Sequence, residues 1–311
     1  GALKLHSAAI VQYMRPEIIG LVLGASIMAF SKKELIARSG SNPVLRFVLG
    51  FFVMVGALMF LGCPLRMMLR IGGGDFNAII GLVGFVGGIL LGILALNKGF
   101  SFNRSYKVSN AEGYVFPIIQ IAFLVILVAV PSLIVFSQEG PGSMHAPLIM
   151  SLAAGLIVGA MAQRARFCTV AGIRDSIMFK DFSMLYGFIV LIAVTIVVNI
   201  IFGFFNPGFE AQPVAHTDGL WNFMGMVLVG FGSVLLGGCP LRQLILAGEG
   251  NIDSVITVLG MFIGAAFCHN FGLAASADGP TSNGQIAVII GLAVVGVIAI
   301  VNIAGNRKKG V

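Results

Sequence analysis

The sequence predicts an all-α polytopic membrane protein of about nine transmembrane helices. Short broken, re-entrant half-helices lie between some of them, and the whole carries an inverted internal repeat. Three observations carry this reading. Of the 311 residues, 58% are apolar and only 10% are charged, at a mean hydropathy of +1.02, a balance that no water-soluble globular domain sustains. Apolar windows of roughly 17–25 residues, the length that a bilayer core demands, recur from end to end. Finally, the pentapeptide Gly-Cys-Pro-Leu-Arg occurs twice, at Gly62–Arg66 and Gly238–Arg242, and the residues around the two copies align without a gap.

The windows fall at about 16–31, 45–62, 77–97, 115–137, 147–163, 184–205, 222–238, 252–273 and 285–304. The first opens on Pro16, which suits a first helical turn. The second ends at Gly62, and Pro64 then starts a short helical piece that Gly72, Gly73 and Gly74 terminate. The seventh ends at Gly237 and Gly238 and is followed in the same way by Pro240 and a piece closed by Gly248 and Gly250. Between the fifth and sixth windows lies a polar stretch in an apolar context, Arg164–Asp175 (RARFCTVAGIRD), read as a third such element. No connection is long enough for a soluble domain. Residues 1–311 therefore read as a single integral membrane domain, with repeat 1 at about 1–138 and repeat 2 at about 147–304.

Charge sets the orientation. Connections 32–46, 97–113, 163–182, 239–251 and the tail hold 15 of the 19 Lys and Arg residues, among them Arg104, Arg166, Arg242 and Lys309. The alternate set holds only Lys4, Arg15, Arg66 and Arg70. The positive-inside rule places the richer set, and the C-terminus, in the cytoplasm. The net charge of +7 is spread over connections rather than gathered on a face, so it is no nucleic-acid signal. The first residues lack the pattern of a cleavable signal. The four cysteines show neither CxxC spacing nor a loop framework, so no disulfide set, metal or other cofactor is expected.

Cys63 and Cys239 are 176 residues apart, and that offset extends backward until Gly1 faces Ile177. The stretch Arg164–Asp175 has no partner in the first half, so its counterpart is expected immediately before Gly1, in an N-terminal element that this chain lacks. Restoring it gives five spans plus five in opposite orientation, the inverted-repeat plan of transporters and channels, with the substrate path at the repeat interface. On this topology Cys63 falls toward the outer side, and Cys168 and Cys239 toward the inner side. They are expected as stations along the membrane normal rather than one gathered group.

The local chemistry favours an anion. A helix start carries partial positive charge and free N–H groups, and a broken helix at membrane depth persists only where it lines a cavity or is buried in protein. Pro64 and Pro240 place Cys63 and Cys239 at such starts, with Arg66 and Arg242 three residues on; Arg166 precedes Cys168. Bland roles are expected elsewhere. Cys268 reads as a small buried apolar group, and Arg70 as a side chain reaching the headgroups. Glu249 and Asp253 are expected at the inner aqueous boundary. His145, His216 and His269 take loop or capping roles, and Arg174 with Asp175 either joins the third element or forms a charge pair. Gly81, Gly84, Gly87, Gly88, Gly260 and Gly264 read as helix-packing surfaces.

The doubled Gly-Cys-Pro-Leu-Arg, the Arg166-Phe167-Cys168 and Gly172-Ile173-Arg174-Asp175 text between the copies, and Ala211–Phe223 (AQPVAHTDGLWNF) resemble the YeeE/YedE sulphur-transport family, most of all its YedE branch associated with selenium transport. The resemblance covers essentially the whole chain. It implies a bacterial inner-membrane importer of a small sulfur- or selenium-containing anion, thiosulfate-like or a selenium counterpart, and not an enzyme. In the family, cysteines lining an hourglass-shaped path pass the anion along by S–H hydrogen bonds to its terminal sulfur. By motif, those positions are Cys63, Cys168 and Cys239, with Arg66 and Arg242 holding the negative charge. The partners so implied are the lipid bilayer and a cytoplasmic sulfurtransferase-like (TusA-like) acceptor. Two other readings stand beside this one: a membrane thiol oxidoreductase or sulfurtransferase component, which needs two cysteines that can meet, and a passive anion channel.

Overall fold

A computed structural model describes residues 5–6, 8–102 and 105–308. Lys4, Arg104 and Lys309, which entered the charge argument, lie outside the described residues. The helices are α1 (Pro16–Ser31), α2 (Pro43–Phe60), α3 (Pro64–Gly72), α4 (Phe76–Asn97), α5 (Asn110–Ala129), α6 (Leu148–Arg164), α7 (Thr169–Met178), α8 (Ser183–Ile201), α9 (Gly219–Leu236), α10 (Pro240–Gly248), α11 (Ile252–Asn270) and α12 (Ser282–Lys308). The nine long helices follow the nine apolar windows, and α3, α7 and α10 are the three short pieces. Among the described residues, eight segments are long and apolar enough to cross a membrane, and α1, at 16 residues, is a shorter apolar helix. The chain is thus an all-α multi-pass membrane protein. Its one small sheet among the described residues pairs β1 (Arg38–Ser39) antiparallel with β2 (Tyr106–Lys107).

The duplication is visible in the element starts. Helices α2, α3 and α4 begin at Pro43, Pro64 and Phe76, while α9, α10 and α11 begin at Gly219, Pro240 and Ile252, each at the same offset that separates Cys63 from Cys239.

The chain forms two compact units. The first comprises Gly1–Arg46, Asn103–Phe167 and Arg242–Leu259. In it α1 and α6 press together through two GxxxG pairs. A Cβ on Gly24 would lie 2.1 Å from the Leu156 carbonyl oxygen, and one on Gly159 would lie 2.0 Å from that of Leu21. Only glycine permits such a backbone approach, the usual adhesive of helices in lipid, where no hydrophobic drive brings them together. Val22, Phe116 and Ala247 form a small core beside this contact. Asp253 is buried and accepts from the Ser39 hydroxyl and from the Gly40 and Ser41 amides. It therefore fastens the turn after β1 rather than meeting water.

The second unit comprises Phe47–Phe102, Cys168–Leu241 and Gly260–Val311. Its centre is the α4–α9 contact, where Gly84 meets Phe223 and Gly88 meets Val227 backbone to backbone. Gly81 receives the Phe60 ring, and Gly260 and Gly264 lie against Phe47 and Phe51. Gly87 is the exception among the predicted packing glycines, because the nearest atom to a Cβ there would be Val227 Cγ2 at 4.0 Å. Of the apolar window in Gly219–Gly248, 89% is buried, against 6% for α8, so α9 is an inner helix and α8 presents itself to lipid.

Candidate substrate pathway at three half-helices

Each of the three cysteines named from sequence stands immediately before a short helix. Cys63 is the N-cap residue of the nine-residue α3, with extended backbone and Pro64 in the first turn. Cys168 is the extended N-cap residue of the ten-residue α7. Cys239 directly precedes the nine-residue α10, which opens on Pro240. The polar stretch after the fifth window is therefore a third element of the same kind. A sharp break supplies each start. Gly237 adopts a left-handed conformation at the end of α9 (φ 79°), and Gly238 N–H returns to the Ser233 carbonyl. In the first copy the left-handed position falls on Leu61 (φ 61°), and Gly62 N–H closes on Ala57.

The cysteine side chains converge within the second unit. The Cys168 and Cys239 thiols are in side-chain hydrogen-bonding contact, and the Cys239 and Ala171 amides point at the Cys168 sulfur. Cys63 lies within electrostatic range of Cys239, and the Leu65 and Arg66 amides turn toward its sulfur without forming a cap of normal geometry. All four cysteines are free thiols, and Cys168, Cys239 and Cys268 are buried. Cys268 is fully buried in α11, as its plain apolar reading expected.

The guanidiniums divide. Arg66 folds its aliphatic stem over Gly62, whose Cβ would lie 3.0 Å from Arg66 Cδ, and its charge acts on Cys63. Arg242, also expected to hold an anion, donates from Nη1 to Glu249 Oε1 at 3.1 Å across the length of α10. Arg166 is exposed, with left-handed backbone (φ 52°), where its N–H closes the end of α6 on the Gln163 carbonyl. Arg174 and Asp175 form a charge pair at 2.7 Å.

Arg70 does not reach for headgroups. It is buried, donates from Nε to Asp75 Oδ2 at 2.7 Å and from Nη1 to the Phe60 carbonyl at 2.7 Å, and lies over the Phe60 ring. Asp75 in turn caps α4 through the Asn77 amide. Sequence spacing gave no sign of this pair, because its members sit on either side of a helix break. His216 is buried, and its Nε2–H donates to the Met59 carbonyl at 2.8 Å. Burial holds its imidazole below the ordinary value, the Met59 bond opposes this, and the Arg70 charge adds to it. The residues that sequence reasoning passed over are Glu34 and Gln163, which join Glu249 in the first unit: Gln163 Nε2–H donates to Glu34 Oε2 at 2.9 Å. They come from separate helix ends, and neither sits in a motif.

The family described as Sulphur transport matches residues 164–306, from the end of α6 into α12. Thiosulfate transporter TsuA of Escherichia coli (strain K12) is 30% identical over 123 residues, which is 40% of this chain and 34% of that protein. The chain thus spans about a third of the length of the curated relative it matches. Cys168 and the second Gly-Cys-Pro-Leu-Arg lie inside the matched region, and the first copy repeats the latter at a fixed offset, so residues 164–306 are similar to the Sulphur transport family.

Proposed function

We propose that the protein carries a small sulfur-containing anion, thiosulfate or a selenium counterpart, across the bacterial cytoplasmic membrane toward the cytoplasm, without changing it chemically. The observation that carries this reading is the convergence of three half-helix starts, each led by a cysteine, with Cys168 and Cys239 in contact. Helix starts supply N–H groups and partial positive charge to an anion. Thiols supply weak S–H donors and polarizable sulfur, which suit a terminal sulfur or selenium and offer little to a hard anion such as sulfate. Cys63, Cys168 and Cys239 hand the substrate on. Pro64 and Pro240 fix the helix starts, Arg66 holds charge at the first of them, and Arg166 and Arg242 are the further guanidiniums of the proposed set. The basic connections and the C-terminus face the cytoplasm, where a sulfurtransferase-like (TusA-like) protein takes the cargo. The test is uptake of radiolabelled thiosulfate and selenite by proteoliposomes. Cys63→Ser and Cys239→Ser each abolish uptake of the transported anion, and normal uptake by both variants overturns the relay.

The Cys168–Cys239 contact also favours a second reading, a membrane thiol enzyme in which these two sulfurs cycle between dithiol and disulfide or carry a persulfide. Intact-mass measurement after turnover separates the two: transport leaves the chain's mass unchanged, whereas the enzyme reading requires a loss of two hydrogens or a gain of sulfur.

A further inference from the structure

In the first unit, two connections meet in the sheet of β1 and β2, whose register sets Arg38 directly opposite Lys107 and Ser39 opposite Tyr106. Backbone bonds hold this sheet in place. Ile36 N–H donates to the Glu249 carbonyl at 3.2 Å, Arg38 N–H to the Gly250 carbonyl at 3.4 Å, and Val108 N–H to the Ala37 carbonyl at 3.1 Å. The first turn of α5 presses on the same segment, since a Cβ on Gly113 would lie 3.1 Å from Ala37 Cβ. Directly opposite residues project from one face with their Cβ atoms about 4.5–5.5 Å apart, and like charges so placed destabilise the sheet. Arg38 and Lys107 are both exposed, and among the described residues neither forms an ion pair. The nearby carboxylates are committed elsewhere: Asp253 to the turn after β1, Glu249 to Arg242 and Glu34 to Gln163. Glu112, exposed in the first turn of α5, pairs with neither cation. The surroundings add positive charge. Helices α1 and α6 run side by side in the same direction, with Gly155 against Glu17 and Gly159 against Leu21. Lys32 and Lys33, after α1, and Arg164, closing α6, therefore lie at one end of that pair, all three exposed.

We propose that Arg38 and Lys107 together bind the phosphodiester of an anionic phospholipid headgroup. Two cations held face to face without an acid between them call for an outside anion, and their depth says which one. Helix α5 begins at Asn110, three residues after Lys107, and α2 at Pro43, five residues after Arg38, and both lie in membrane-spanning segments. Extended chain covers at most about 3.6 Å per residue, so Lys107 lies within about 11 Å, and Arg38 within about 18 Å, of the start of a spanning helix. That is the reach of the headgroup layer. Tyr106, on the other face of β2, is 63% exposed, and an amphipathic ring of this kind belongs at the same level. The Arg38 fork matches two phosphate oxygens, and Lys107 adds a point charge from across the sheet. A bound headgroup turns the repulsion between the strands into a bridge. The inference goes beyond the transport reading and does not depend on which anion is carried.

The test is native mass spectrometry of the whole chain, released from micelles doped equally with phosphatidylglycerol and phosphatidylcholine. The wild type retains phosphatidylglycerol in preference. Each neutralised charge lowers that preference about fivefold, and Arg38→Gln/Lys107→Gln lowers it about thirtyfold. Lys98→Gln, which removes an exposed cation from another connection, leaves it unchanged. Melting midpoints supply a second readout. With phosphatidylcholine alone, Lys107→Glu sets opposite charges across the sheet and melts no lower than the wild type. Added phosphatidylglycerol raises the wild-type midpoint and leaves that of Lys107→Glu where it was. Equal retention of the two lipids by the wild type, or an undiminished preference in the double variant, overturns the proposal. So does a Lys107→Glu midpoint below that of the wild type in phosphatidylcholine, which would mean that the pair is not in repulsion. Displacement of phosphatidylglycerol by inorganic phosphate, beyond that by chloride at equal ionic strength, assigns the pair to a free anion and overturns it as well.

Discussion

Replacing Asp75 by alanine isolates the buried pair that holds α3 to α4. The carboxylate is 2% exposed and the Arg70 guanidinium 6%, and they meet at 2.7 Å. Asp75 also accepts from the Asn77 amide at 2.9 Å and from Asn77 Nδ2 at 3.0 Å. Without it, Arg70 keeps the Phe60 carbonyl and ring but loses its only counter-ion among the described residues, while its Nη2 already lacks a partner. Stranding one member of a buried pair costs about 3–5 kcal/mol, and loss of the α4 cap adds about 1 kcal/mol. The sum, about 5 kcal/mol, corresponds to a fall in melting midpoint of roughly 10–20 °C for a domain of this size. Unfolding in mixed detergent micelles measures it. The double variant Arg70→Leu/Asp75→Leu removes both charges together and recovers much of the loss, because a buried pair exchanged for apolar groups is often close to neutral. Losses that simply add in the double variant refute the argument, since they would mean that the two side chains do not compensate each other.

Two further outcomes follow from the same geometry. Gly88→Ala sets a methyl 2.1 Å from the Val227 carbonyl oxygen and forces α4 and α9 apart, at a cost of about 1–3 kcal/mol, whereas Gly87→Ala, with nothing nearer than 4.0 Å, stays within about 0.5 kcal/mol of the wild type in the same unfolding assay. His216, held below the ordinary imidazole value chiefly by burial, binds a proton less readily in the fold than in the unfolded chain. Its contribution to stability is therefore complete above that value and is lost as pH falls below it. Melting midpoints between about pH 7 and about pH 5 decline for this reason, and His216→Gln flattens that part of the profile.

The long helices were legible because each is an apolar run bounded by glycine, proline or charge, and the three cysteine-led starts were legible because a proline or polar residue interrupts an apolar context at each. How close the sulfurs come was not. Sequence gives the depth of a residue only through the span that contains it, and a half-helix leaves its span before reaching the surface. The sequence assigns Cys63 to the outer and Cys239 to the inner side, and only the fold adds that the two lie within electrostatic range of each other. Charge partners were hidden for a related reason. Arg70 with Asp75 and Arg242 with Glu249 each link residues across the length or the end of a half-helix, beyond the i,i+3 and i,i+4 spacings that reveal pairs on a regular helix. The two pairs do not correspond in the repeat, since the offset sets Arg70 opposite Leu246 and Glu249 opposite Gly73. The two pairs differ in a way that separates their work. Arg70–Asp75 is sealed at both ends and suits a fixed brace. Arg242–Glu249 is more exposed and has a second carboxylate and a second guanidinium beside it.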